Sequence, residues 1–295
     1  LKKALSYLTI VRPANVVTSV ADVVAGVVIA GAFTNESTKN NVTGICLLCC
    51  STACLYAGGI VFNDVFDVNL DRIERPERAI PSGLISLKQA ILTGSLLLGG
   101  GIAFAGLQSL LSMLLALLIA AAALIYDKAG KRHAFFGPLN MGICRGLNLL
   151  LGVSIIPLAL FQYYTLAIVP LIYIFSITMV SRGEVHGGNK SNLYIAAILY
   201  IIVTTFIVTF SYFNHTLLCT STLLIPFLWM IFKPLSKAIK NPVGKNIGAA
   251  VKAGVLSLIL MDAAWAATFG NIYAAILILC LLPGSLWLAK TFAVT

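Results

Sequence analysis

From about residue 14 to residue 290 the chain is a succession of apolar segments separated by short polar stretches. A membrane-crossing helix needs roughly 17–25 apolar residues. Ten segments meet that length, at approximately 14–33, 42–66, 87–106, 109–126, 138–158, 161–181, 192–211, 217–232, 248–269 and 271–290. In hydrocarbon the backbone must satisfy its own hydrogen bonds, which leaves a helical bundle as the fold for segments of this length. Composition agrees: 59% of residues are hydrophobic and 10% charged, against roughly 25% charged in a soluble domain. The expectation is all-α, a polytopic membrane helical bundle forming one transmembrane domain over residues 1–295.

Basic residues orient such a bundle, because they are retained on the cytoplasmic side. With the amino terminus placed in the cytoplasm, Lys39 alone of the 20 lysines and arginines falls on the opposite face. The expected setting is a bacterial inner (plasma) membrane, with the N-terminus and the polar loops cytoplasmic. The net charge of +10 then serves topology and attraction to membrane lipid head groups. Because the charge is spread over loops between spans, nucleic acid is not an expected partner. Seven cysteines make no metal or disulfide pattern; Cys46, Cys49, Cys50 and Cys54 lie within one apolar segment.

The acids are the informative polar residues. Only ten are present, and three crowd into the segment Asn63-Asp64-Val65-Phe66-Asp67-Val68-Asn69-Leu70-Asp71 at the cytoplasmic end of the second span. On a helix Asp64, Asp67 and Asp71 share a face. Clustered carboxylates repel unless neutralised, and hard oxygen donors suit Mg²⁺ shared with substrate phosphates. The basic loop that follows carries Arg72, Arg75 and Arg78. Deeper polar residues are costly in a membrane and functional by default. Asn15 and Asp22 lie on nearly one face of the first span, and Arg145 and Asn148 make a polar face on the fifth. Asp22 is a candidate to contact an acceptor or to pair structurally, and Asp262 is a candidate partner for Arg145.

The segment Asn63-Asp64-x-x-Asp67-x-x-x-Asp71, with Arg75-Pro76-x-Arg78-x-Ile80-Pro81-Ser82-Gly83, resembles the first Asp-rich motif of UbiA-type intramembrane prenyltransferases. Arg12-Pro13-x-Asn15 resembles that superfamily's opening, and Tyr126 followed by Lys131-Arg132 resembles the end of its fourth span. At the second motif both usual Asp positions fall on Ser181 and Val185, leaving Glu184 as the carboxylate. That form, together with 137–148, resembles the EboC-like branch. The resemblance implies a bundle of nine to ten helices around a central cavity, and transfer of a prenyl group from an isoprenoid diphosphate to a lipophilic acceptor at the cytoplasmic side. It implies Mg²⁺ on Asp64, Asp67, Asp71 and Glu184. Substrate would be bound by Asn15, Asn63, Arg78, Lys131, Arg145 and Arg182, with His186 a further candidate. The alternative is a non-catalytic polyprenyl-lipid binding protein or a transporter component.

Overall fold

The computed structural model describes residues 2–33, 41–183 and 189–292. Among these the ordered elements are all helical. They are α1 (Lys2–Val11), α2 (Pro13–Ile29), α3 (Val42–Phe66), α4 (Val68–Glu74), α5 (Leu87–Gln108), α6 (Leu110–Lys128), α7 (Phe136–Val153), α8 (Pro157–Tyr163), α9 (Ile168–Ser181), α10 (Lys190–Phe213), α11 (Leu217–Lys240), α12 (Gly244–Thr268), α13 (Ile272–Leu279) and α14 (Leu281–Thr291). Among the described residues eight stretches are long and apolar enough to cross a membrane, α8–α9 and α13–α14 each counting as one; the shorter α2 is also apolar. α7 passes alongside α2 and α9 despite its Asn140, Arg145 and Asn148. The protein is an integral membrane protein.

Prolines explain the broken spans. Pro283 lacks an N–H and its ring opposes the carbonyl four residues back, and α13 ends there, at Leu279. Pro170 stands in the same relation to Leu166, in the 3₁₀ turn (Tyr164–Ala167) that separates α8 from α9. Helices apolar on every side belong in the centre of a bundle. α2 and α12 fit this: residues 21–29 and 256–268 are buried without interruption. α5, α6 and α10 show alternate buried and lipid-facing sides.

The centre is held by close backbone approach and by one polar knot. A Cβ on Gly26 would lie 2.3 Å from the Leu149 carbonyl, and one on Gly152 would lie 2.2 Å from that of Val23, so α2 and α7 cross in direct backbone contact. On α7's other side Gly142 and Gly146 meet the carbonyls of Leu171 and Ala167, the small-residue packing that membrane helices favour. One turn from the α2–α7 crossing, Arg145 is ion-paired to Asp22 and donates to the Thr18 carbonyl at 2.7 Å. Asn148 donates to Asp22 and to the Ser19 carbonyl, both at 2.9 Å, and accepts from Thr52 of α3. Asp262 of α12 is buried within electrostatic reach of Asp22 and Arg145. Two carboxyl groups beside one guanidinium in hydrocarbon leave the cluster neutral only when one of them carries a proton.

Two stability measurements follow, both as thermal unfolding in detergent. Gly152→Ala forces α2 and α7 apart and costs roughly 1–3 kcal/mol, whereas Gly99→Ala, with no atom within 4 Å of the added carbon, leaves the midpoint in place. Asp262→Asn preserves the neutral form and is tolerated. The double variant Asp22→Asn/Asp262→Asn strips Arg145 of every carboxylate and costs about 3–5 kcal/mol; equal losses for the single and double variants would contradict a cluster with one charged carboxylate.

Candidate active site

Antiparallel succession brings the start of α2, the α3–α5 junction, the α6–α7 junction and the end of α9 to one end of the bundle. The Asp-rich segment is bent there. α3 closes at Phe66 and α4 opens at Val68, with Asp67 between them in the bridge conformation (φ −89°, ψ −1°). The ladder nonetheless runs through: the Asp67 N–H donates to the Asn63 carbonyl and that of Asp71 to the Asp67 carbonyl. Asp64 and Asp71 are buried, and the Asp67 side chain is partly accessible.

The loop after α4 is pinned rather than loose. Ile80 and Ile85 sit with Ile10 of α1, Val61, Val68 and Ala90 in a small apolar cluster. Gly83 takes φ +78°, where a side chain is disfavoured. Ser86 and Gln89 form a capping box that starts α5. This framework aims Arg78 back at the acids: its Nη1 lies 2.8 Å from Asp71 Oδ2 and 3.3 Å from Asp64 Oδ1. Arg12 Nη2 reaches Asp64 Oδ1 from the other side at 3.2 Å. Its backbone is left-handed (φ 47°), costly for a residue with a Cβ, and Pro13 starts α2 directly after it. Burial pushes the Arg12 guanidinium below its ordinary range, and Asp64 opposes that shift. Lys131, in the turn after α6, is paired with Asp67. Arg182 donates from Nη1 to the His133 carbonyl at 2.9 Å and more distantly to that of Lys131, bracing the turn that presents Lys131.

One acid was absent from the sequence-based candidates. Asp127, at the end of α6, is buried and accepts a 2.7 Å hydrogen bond from Asn63 Nδ2. It lies within electrostatic reach of Asp64, Asp67 and Lys131. It stands just past the fourth apolar segment, where it reads as a helix-end acid. Arg12 was quoted for its motif, but its contact with Asp64 spans 52 positions and could not be read from spacing.

Of the other candidates, Asn15 is buried on α2 one turn beyond Arg12. Arg145 is not brought to the carboxylates. It lies in the central knot, 3% exposed, where its partner is Asp22 rather than Asp262, with Tyr56 across its guanidinium at 5.6 Å. Asp22 is fully buried in the same knot. Glu184, Val185 and His186 lie outside the described residues. Among the described residues no three His, Cys, Asp or Glu side chains are disposed to hold a metal ion, because Asp64, Asp67 and Asp71 each turn to a cation of the protein. The donor chemistry still fits Mg²⁺: hard carboxylate oxygens in one patch, with a basic side chain against each of three acids and able to move to a phosphate.

Residues 24–243 match the model of the UbiA prenyltransferase family. The digeranylgeranylglyceryl phosphate synthase of Metallosphaera sedula is 37% identical over 126 residues, 41% of this chain and 44% of that protein. The synthase of the same name from Saccharolobus solfataricus is 31% identical over 63% of this chain and 64% of its own length. The chain thus spans about half to two thirds of the length of these two curated relatives. A UbiA homolog from Archaeoglobus fulgidus, solved bound to GPP and Mg²⁺, has the same fold, with a TM-score of 0.59 over 91% of this chain and 99% of that one, at 15% identity. The relatives carry a name other than EboC, and the resemblance holds at the level of the family. A family match over most of the chain, a shared fold and a carboxylate-rich membrane end lead to one conclusion: this chain belongs to the UbiA prenyltransferase family.

Proposed function

We propose that this protein, acting as one transmembrane unit over residues 1–295, transfers a prenyl group from an isoprenoid diphosphate to an anionic glycerol-phosphate lipid, with Mg²⁺ as cofactor. The observation that carries the reading is the gathering of Asp64, Asp67, Asp71 and Asp127 with Arg12, Arg78 and Lys131 at one membrane end. The acceptor class rests on the relatives, whose product name contains two geranylgeranyl groups on glyceryl phosphate. The diphosphate and the metal rest on the Archaeoglobus fulgidus homolog. The basic residues counted in the loops support a cytoplasmic active end. The relatives are archaeal, and nothing in the proposed chemistry requires a bacterial membrane.

Asp64, Asp67 and Asp71 are the proposed metal ligands, with Glu184 a further candidate and Asn63 holding Asp127 beside them. Mg²⁺, when bound, supplies charge neutralisation for the leaving diphosphate. Arg12, Arg78 and Lys131 exchange their carboxylate partners for diphosphate oxygens and stabilise the charge that develops there. Arg182 keeps Lys131 in place. The apolar bundle receives the isoprenoid tail and keeps water from an allylic cation. The acceptor hydroxyl would attack the allylic carbon as its C–O bond to diphosphate breaks, and its proton would pass to the released diphosphate as the ether forms.

The test uses purified protein, geranylgeranyl diphosphate, Mg²⁺ and a monogeranylgeranyl glyceryl phosphate, with diphosphate and ether lipid both measured. Product requires Mg²⁺, stops on chelation, and falls by about 100-fold or more in Asp67→Asn. Asp127→Asn, which keeps a partner for Asn63 but removes a charge, lowers the rate less. Tight Mg²⁺-dependent binding of the diphosphate with no product from any glycerol lipid would instead favour the lipid-binding alternative.

A further inference from the structure

A groove of about 570 Å³ opens on the membrane-facing side of the α10–α11 pair, lined by Ile201, Thr204, Thr205, Leu228, Trp229 and Phe232. It shares no residue with the carboxylate-rich end. Its α11 wall lies between Pro226 and Pro234, two residues that interrupt the helical hydrogen-bond ladder. Trp229 is 65% exposed and Ile201 55% exposed, so the groove faces lipid.

Charge at one end of the groove separates it from an ordinary lipid-facing surface. Trp229, Lys233, Lys237 and Lys240 follow one another at near-helical spacing down one face of α11. Lys237 and Lys240 occupy the last turn, where cations complement the helix dipole. Lys233 lies a turn deeper, and its ammonium does not extend to the helix end: it lies over the ring of Trp229, a residue of the groove wall, 4.4 Å from the centroid. Neither α10 nor α11 contains an acidic residue. Among the described residues no carboxylate is within ion-pair distance of these three lysines. An ammonium at this depth with only a ring for company is best satisfied by an anion that arrives from the membrane. Basic pockets between membrane helices select lipid phosphates in this way.

We propose that the α10–α11 groove binds an anionic glycerophospholipid of the surrounding membrane. One chain lies along Ile201, Thr205, Leu228, Trp229 and Phe232, and the phosphate sits at Lys233 with Lys237 one turn beyond. Binding is separate from turnover, so its test does not depend on the proposed reaction.

The full chain, in a Trp287→Phe background, is reconstituted into phosphatidylcholine vesicles containing graded fractions of phosphatidylglycerol, with bromine on the chains of one lipid or the other. Trp229 is then the lipid-exposed indole, since Trp265 is fully buried. Brominated phosphatidylglycerol is expected to quench with a relative affinity on the order of fivefold above brominated phosphatidylcholine, the effect of about one lysine beside an anionic lipid. Lys233→Gln/Lys237→Gln removes the preference but leaves quenching by both lipids. Equal quenching by the two lipids in the unaltered sites, or a preference that survives the double lysine variant, would overturn the proposal.

Discussion

Charge compensation without water is the constraint on which this structure depends. A carboxylate taken into hydrocarbon is tolerated only when paired or protonated, and the buried acids of the described chain obey this. Asp64 has Arg12 and Arg78, Asp71 has Arg78, Asp67 has Lys131, and Asp22 has Arg145. Asp127 instead accepts from the neutral Asn63, and Asp262 lies in the central knot beside the Asp22–Arg145 pair. The two groups of pairs differ in accessibility. The Asp22–Arg145 pair is sealed between α2, α7 and α12 and acts as architecture. The pairs at the bundle end are partly open: the side chains of Arg12, Arg78, Lys131 and Asp67 retain 16–20% of their exposure. Those pairs are able to exchange partners.

The same difference links packing to the proposed chemistry. Backbone contact at Gly26 and Gly152 fixes the crossing of α2 and α7, and with it the direction in which α2 presents Arg12. The Arg12 backbone is held in a left-handed conformation between α1 and α2, a cost that the ion pair to Asp64 offsets. On the other side of the site, Ile80 and Ile85 anchor the loop bearing Arg78, and Arg182 braces the turn bearing Lys131. Three basic groups from three distant segments are thus positioned by rigid surroundings before any ligand is considered.

Much of this could be read from residues near one another in sequence. The apolar runs announced a helical membrane bundle, and Asp64, Asp67 and Asp71 announced a carboxylate face, because both signals lie within a few turns of helix. What escaped depended on long-range placement. Arg145 sits in the centre with Asp22, 123 positions away in sequence, because glycines allow α2 and α7 to touch; its own helix carries no hint of that partner. Asp127 reads as an ordinary helix-end acid until Asn63, 64 positions distant, is seen to donate to it. The breaks at Leu279 and before Ile168 follow from prolines that were visible in the sequence but lie inside segments apolar enough to be read as continuous.

The central claim is that the internal cations of the carboxylate site give way to a metal and a prenyl diphosphate together. Electron paramagnetic resonance of Mn²⁺ in place of Mg²⁺, with and without a non-hydrolysable geranylgeranyl diphosphate analogue, tests this directly. The account predicts weak Mn²⁺ binding alone, because Arg12, Arg78 and Lys131 hold the acids. It predicts tight binding when the analogue is present, by at least tenfold, and loss of that binding in Asp64→Asn. Mn²⁺ that binds equally with and without the analogue, or whose binding is indifferent to Asp64, would contradict it.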